Sequence, residues 1–160
     1  MKKNYRNAFF IFFVLMFGCQ QQQQNSTEIE KEVIKKEVKE QFNQLNAAIN
    51  NSNSLAWSEF YSKDEFISTF VSTDFYATRS AFIDSIKYYF SLREYQHLEP
   101  LEVKVTVLTQ VLALMTSQEK IEMRLKSGEN INSKHVLTMI WKKEQDRWKI
   151  IHSHESWLVE

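Results

Sequence analysis

The sequence predicts an α+β domain, with N-terminal helices packed on one face of an antiparallel sheet. Three observations predict it. Apolar residues in the first half recur at spacings of three to five, the period of a helix face. From Leu101 onward they alternate with polar residues, the period of a half-buried strand. The helices are grouped ahead of the strands, and short turns join the strands, which makes a meander rather than a series of β–α–β units.

The first element is not part of that domain. Lys2, Lys3 and Arg6 form a positive start, and an uninterrupted apolar run follows from Ala8 to Phe17. The run has the length of a signal-peptide core and is too short for a membrane span, which needs about 20 residues. Gly18 and Cys19 come next. Met16-Phe17-Gly18-Cys19 resembles the lipobox of bacterial lipoproteins, with Phe17 bulkier than the usual small residue. The resemblance implies that residues 1–18 are removed and that Cys19 carries a lipid. It also implies a protein of the bacterial cell envelope, held to a membrane by that lipid. Gln20 to Gln24, Asn25 and Ser26 cannot bury apolar surface, so residues 19–27 are expected to be a flexible tether and 28–160 the domain.

Thr27-x-x-Glu30 has the form of a capping box and predicts a helix start. Ile29, Val33, Val38, Phe42, Leu45 and Ile49 then mark one face of a helix that ends at the Asn50–Asn53 cluster. Ser54 is placed to cap a short second helix with Leu55, Trp57, Phe60 and Tyr61. A short strand is expected within Phe66–Ser72. Thr78 is placed to cap a third helix carrying Phe82, Ile86, Tyr89 and Phe90, expected to fade near His97 and to be blocked by Pro100. Four strands follow: from Leu101 to Val107, from Val111 toward Leu125, His135 to Lys142, and Arg147 to Trp157. Turns at Ser127–Asn130 and Gln145-Asp146 join the last three.

Composition excludes some functions. The chain has 160 residues, 43% apolar and 14% aromatic, enough for one compact core. It holds 20 Lys plus Arg against 20 Asp plus Glu, and the leader takes three of the bases and none of the acids. The remainder is slightly acidic with its bases scattered, so nucleic acid is not an expected partner. The single cysteine, Cys19, allows no intrachain disulfide and, once lipidated, no cysteine nucleophile. There is no phosphate-binding glycine loop and no G-x-S-x-G, and no cofactor is expected.

Asp146-Arg147-Trp148-Lys149-Ile150-Ile151-His152-Ser153-His154-Glu155-Ser156 resembles the closing strand of SnoaL-like and DUF4440-type domains: a polar turn, a Trp, paired aliphatics and a His-x-His ending. Met139-Ile140-Trp141-Lys142-Lys143 is similar to the strand before it. With the element order, these motifs resemble the nuclear-transport-factor-2-like (NTF2-like) superfamily over Glu28–Trp157. The resemblance implies a cone, a curved sheet wrapped around a long N-terminal helix, that often dimerises through the open face of its sheet. The ketosteroid-isomerase branch of that family uses a Tyr and two acids inside the cone. Tyr61, Asp64 and Asp74 are of the right types, but no acid in the last two strands completes the set, since Glu155 alternates away from His152 and His154.

Strict alternation along the last strand puts Trp148, Ile150, His152, His154 and Ser156 on one face. If that face is concave, the two histidines and Ser156 look into the cone's opening and, with His135, Tyr61 and Trp57, form a candidate ligand site. A metal shared by His152, His154 and His135 is the weaker alternative, because histidines about 6.6 Å apart on a strand lack an acid or cysteine to complete the set. No metal is expected. Arg79 is expected to be solvated or to meet an anionic ligand. Three functions remain open: binding of a small, partly apolar molecule; an isomerase or cyclase with His152 or His154 as general base; and a homodimeric assembly module, favoured if Ile151 and Trp157 make an apolar stripe on the convex face.

Overall fold

The computed structural model describes the backbone from Arg6 to Val159 and the side chains of residues 27–158. The chain divides into two compact units, Met1–Val33 and Ile34–Glu160. The expected signal segment, Cys19 and nearly all of the tether lie outside the residues whose side chains are described. No helix among the described residues is long and apolar enough to cross a membrane. In the first unit, helix α1 (Arg6–Asn50) begins well ahead of the Thr27 capping box.

In the second unit the C-terminal part of α1 supplies the spine of the core. Ile34, Val38, Phe42 and Leu45 are buried, and their spacing makes one continuous stripe. Asn50 follows and bonds twice to the backbone of Leu98, donating from Nδ2 to its O at 3.0 Å and accepting from its N at 2.7 Å. Those bonds tie the end of α1 to the sheet. Near the start of the stripe, Glu37 accepts from Trp148 Nε1 at 2.8 Å and from Lys143 Nζ at 2.9 Å, which fixes the opposite end.

Helix α2 (Ser54–Ser58) is capped by Asn53, one residue before the Ser54 expected from sequence, and α3 (Arg79–Leu92) by Thr78 as expected. Between them lie β1 (Ser68–Val71) and β2 (Asp74–Tyr76); the second of these short strands was not expected. The long strands are β3 (Arg93–Thr109), β4 (Leu112–Leu125), β5 (Asn130–Glu144) and β6 (Arg147–Val159). They form one sheet in the order β2-β1-β6-β5-β4-β3. All neighbours are antiparallel except β1 and β6, which run parallel, so the sheet is mixed rather than purely antiparallel.

Helix α3 does not fade near His97. It ends at Leu92, and β3 starts at once. Pro100 lies inside β3, at a register shift against β4. A proline is tolerated there because β3 is an edge strand and the missing N–H breaks no ladder on its open side.

A second irregularity decides which side chains face inward. Ile140 pairs with His152, but Trp141 pairs with Ile150, so Ile151 is an extra residue on β6. Before this bulge the inward residues are Trp148 and Ile150, both buried. After it they are Ser153, Glu155 and Trp157. A bulge of one residue reverses the alternation beyond it.

Candidate functional site

The inner face of the sheet, α1, α2 and α3 enclose a cavity. Its inner end is apolar and aromatic. Trp57 and Tyr61 from α2 and the segment after it pack against Phe82 from α3, with ring centroids 5.4 and 4.9 Å away. Leu137 and Met139 close the sheet side. The Tyr61 hydroxyl meets Ser153, and burial pushes the phenol well above its ordinary range, that hydrogen bond opposing the shift. Ser153 Oγ also lies 3.1 Å from Thr69 Oγ1 on the parallel neighbour β1.

Polar groups gather at the other end because of strand register. Glu119 on β4 faces His135 on β5, and His135 faces Trp157 on β6. One rung of the sheet thus carries an acid, a histidine and an indole side by side. His135 Nε2 hydrogen-bonds to Glu119 Oε2. The Trp157 ring stands edge-on to the imidazole, centroids 5.1 Å apart. Glu119 is 0% and His135 3% exposed, so water does not screen the pair. Glu119 Oε1 also accepts from Ser117 Oγ at 3.3 Å and from Asn46 Nδ2 at 3.4 Å. A carboxylate that takes three donors fits its acceptor-only inventory and requires Nε2 of His135 to carry the hydrogen. Its Nδ1 has no protein partner.

Glu155 sits one rung away, opposite Leu137. It is half-buried and accepts from Trp157 Nε1 at 3.0 Å. Burial raises its carboxyl above the ordinary range; His135 and the Trp157 hydrogen bond pull it down, and Glu119 adds to the rise. Arg93, at the start of β3, also lines the cavity, where it donates to Gln96 Oε1 and lies 5.1 Å from the Phe90 ring centroid. The lining thus combines a hydrophobic pocket with a few convergent polar groups, the usual form of a small-molecule site. The cavity volume is about 60 Å³.

Of the residues singled out from sequence, His135, Tyr61 and Trp57 line this cavity. His152, His154 and Ser156 do not. The bulge at Ile151 turns them to the outer face, where Phe70 stands edge-on to both histidine rings and His152 Nδ1 lies 3.1 Å from Ser68 Oγ. The metal reading loses its geometry for the same reason, because His135 lies on the other side of the sheet; no cluster of ligands is found among the described residues. Ile151 is buried and Trp157 lines the cavity, so neither makes an outer stripe. Asp74 is exposed, and Asp64 borders a polar groove by the β5–β6 turn. Arg79 is half-buried and donates to the carbonyls of Tyr61 and Ser58 at 3.1 and 2.7 Å, holding the end of α2.

Sequence reasoning missed Glu119, Glu155 and Asn46. Glu155 was set aside by the alternation that the bulge breaks. Glu119 was within reach, because Glu119 and His135 are equidistant from Ser127 in the turn between β4 and β5.

A family model of the SnoaL-like domain matches residues 38–160. The chain belongs to the SnoaL-like family. Solved structures agree on the fold of this SnoaL-like domain. A proposed dehydratase of the NTF2-like family from Streptomyces avermitilis superposes with a TM-score of 0.71 at 17% identity, covering 80% of this chain and 98% of its own. A hexachlorocyclohexane dehydrochlorinase from Novosphingobium barchaimii gives 0.68 at 6% identity, covering 83% and 92%. The association domain of C. elegans CaMKII gives 0.64 at 18% identity, covering 79% and 97%. A comparison with curated proteins finds no match. The NTF2-like α+β architecture read from the sequence is therefore correct, with β1 as its parallel exception.

Proposed function

We propose that this domain binds a small, partly apolar molecule in its cavity and removes a proton from it, with His135 as general base. The observation that carries the reading is the buried Glu119–His135 pair, which leaves Nδ1 of a cavity-lining histidine without a protein partner. Glu119 fixes the tautomer and steadies the imidazolium that forms when Nδ1 takes a proton. The electrons of the broken C–H bond then make a double bond as a group on the next carbon departs, or move along the substrate in an isomerisation. Glu155, whose raised pKa keeps its proton to higher pH than an ordinary carboxyl, is placed to protonate a departing hydroxyl. Two proteins of similar fold are named for eliminations, a dehydration and a dehydrochlorination, which supports this class of reaction. The base is His135, in place of the His152 or His154 suggested by sequence.

The test is carbon-acid chemistry. Small β-hydroxy ketones are incubated with the full chain in D2O and followed by proton NMR. The expected result is deuterium uptake next to the carbonyl or loss of water, falling at least 100-fold in His135→Gln. No exchange above buffer with native protein, or exchange unchanged in His135→Gln, would overturn the reading.

We also propose that lipidated Cys19 holds the domain at a bacterial membrane, on the strength of the charged start, apolar run, Gly18 and Cys19 in that order. Cys19→Ser is expected to move the protein from the membrane pellet to the soluble fraction; a variant that stays in the pellet sinks the idea.

A further inference from the structure

Asn46 is a polar residue on the apolar stripe of α1, one position after Leu45, and only 5% of it is exposed. Leucine there would extend the stripe, so burying an amide calls for a reason. Half of the reason is Glu119, which accepts from Nδ2. The other half of the amide, Oδ1, has no partner. Turning the amide over would not help, because Oδ1 would then face the carboxylate, acceptor against acceptor. Glu119 therefore fixes the orientation of Asn46 as it fixes the tautomer of His135. In both cases the atom that remains has no partner, and both residues line the same cavity; at Asn46 that atom is an acceptor.

We infer that Asn46 is a specificity-determining residue, and that the molecule bound in the cavity carries a hydroxyl or amino group that donates to Asn46 Oδ1. The inference rests on the cavity being a binding site and adds the chemical class of what it binds. A hydrocarbon or halocarbon of the same shape would leave Oδ1 buried and bare, and a site built around a buried acceptor rejects a ligand without a donor. A hydroxylated substrate also suits the proposed reaction, since the proton taken by His135 and the hydroxyl held by Asn46 would lie on neighbouring parts of one small molecule. The cavity would thus differ in selectivity from a relative of the same fold that takes hexachlorocyclohexane.

The test uses probes matched in shape. 4-Fluorophenol is compared with 4-fluorochlorobenzene, and 2,2,2-trifluoroethanol with 2-chloro-1,1,1-trifluoroethane, by fluorine NMR titration of the full chain against a protein-free blank. In native protein each alcohol is expected to bind at least tenfold tighter than its chloro partner, and to shift the Asn46 side-chain amide signal. In Asn46→Leu and Asn46→Ala the preference is expected to fall below threefold, through weaker alcohol binding. A native preference below threefold would overturn the inference while leaving the binding site intact, whatever the variants do. A tenfold preference that persists in a folded variant, or an Asn46 amide signal unmoved by the alcohols, would assign the donor to another residue and overturn it equally. Failure of all four probes to bind would take away the binding site itself, and the inference with it.

Discussion

At the scale of single residues, the site depends on acids held out of water. Glu155 has a raised pKa in the folded protein, chiefly from burial. The folded state therefore holds this proton more tightly than the unfolded chain does. Below the unfolded pKa both states are protonated, and the residue costs nothing. As pH rises from there through the raised folded value, charging a buried carboxylate costs stability, and above it the cost is complete. Glu155→Gln removes that cost. It is expected to match native protein in melting temperature near pH 4 and to exceed it at pH 8. Melting curves at the two pH values check this. A variant less stable than native at pH 8 would mean that the Trp157 hydrogen bond and His135 outweigh burial. Asn46 and Glu119 belong to the same scale, and neither is visible from local sequence. Asn46 breaks an apolar stripe by one residue. Glu119 sits in Thr116-Ser117-Gln118-Glu119-Lys120, which reads as a solvated segment although Ser117 and Glu119 point inward.

At the scale of elements, local patterns gave the helices and long strands because those patterns are local in cause. Asn53 and Thr78 cap their helices with their own side chains, and the alternation in β4 and β5 follows from the pleat. What could not be read was the bulge. Lys149-Ile150-Ile151-His152 contains no glycine or proline to mark it, and the extra residue exists only relative to β5. One residue therefore moved the candidate site from His152 and His154 to Ser153, Glu155 and Trp157. Deleting Ile151 tests this account. The deletion removes the extra residue and leaves each pair as it is, so Ser153, Glu155 and Trp157 stay inward while His152, His154 and Ser156 stay outward. The expected cost is about 2–5 kcal/mol in urea unfolding, from the lost packing of the buried Ile151 side chain, with His135-dependent exchange retained. A folded deletion variant that loses the exchange would show that the strand beyond Ile150 had turned over and that Ile151 is not the extra residue.

At the scale of the whole domain, the helices cover the inner face of the sheet and leave part of the outer face uncovered. Phe70 and Phe75 pair across β1 and β2 with centroids 4.8 Å apart, and both are exposed. His154 joins Phe70 on that face, and Val136 and Leu158 extend it along β5 and β6. Exposed apolar side chains gathered on one face of a sheet are an ordinary sign of an interface. We propose that a second copy of the chain covers it, the homodimer that the sequence resemblance implies. The stripe lies on Phe70, Phe75, Val136 and Leu158, not on Ile151 and Trp157. Because Phe75 is more than half exposed, Phe75→Asp is expected to cost the monomer little, while a charge buried between two copies costs an interface several kcal/mol. Native mass spectrometry of the full chain released from detergent at about 20 µM is expected to give a dimer, and Phe75→Asp mostly a monomer with a melting temperature within a few degrees of native. A native protein that is monomeric at that concentration, or a Phe75→Asp variant that remains fully dimeric, would remove the interface from this face. Because the residues that line the cavity are on the opposite face of the sheet, losing the dimer should leave His135-dependent exchange within about twofold of native, so pairing and proton transfer can be tested one without the other.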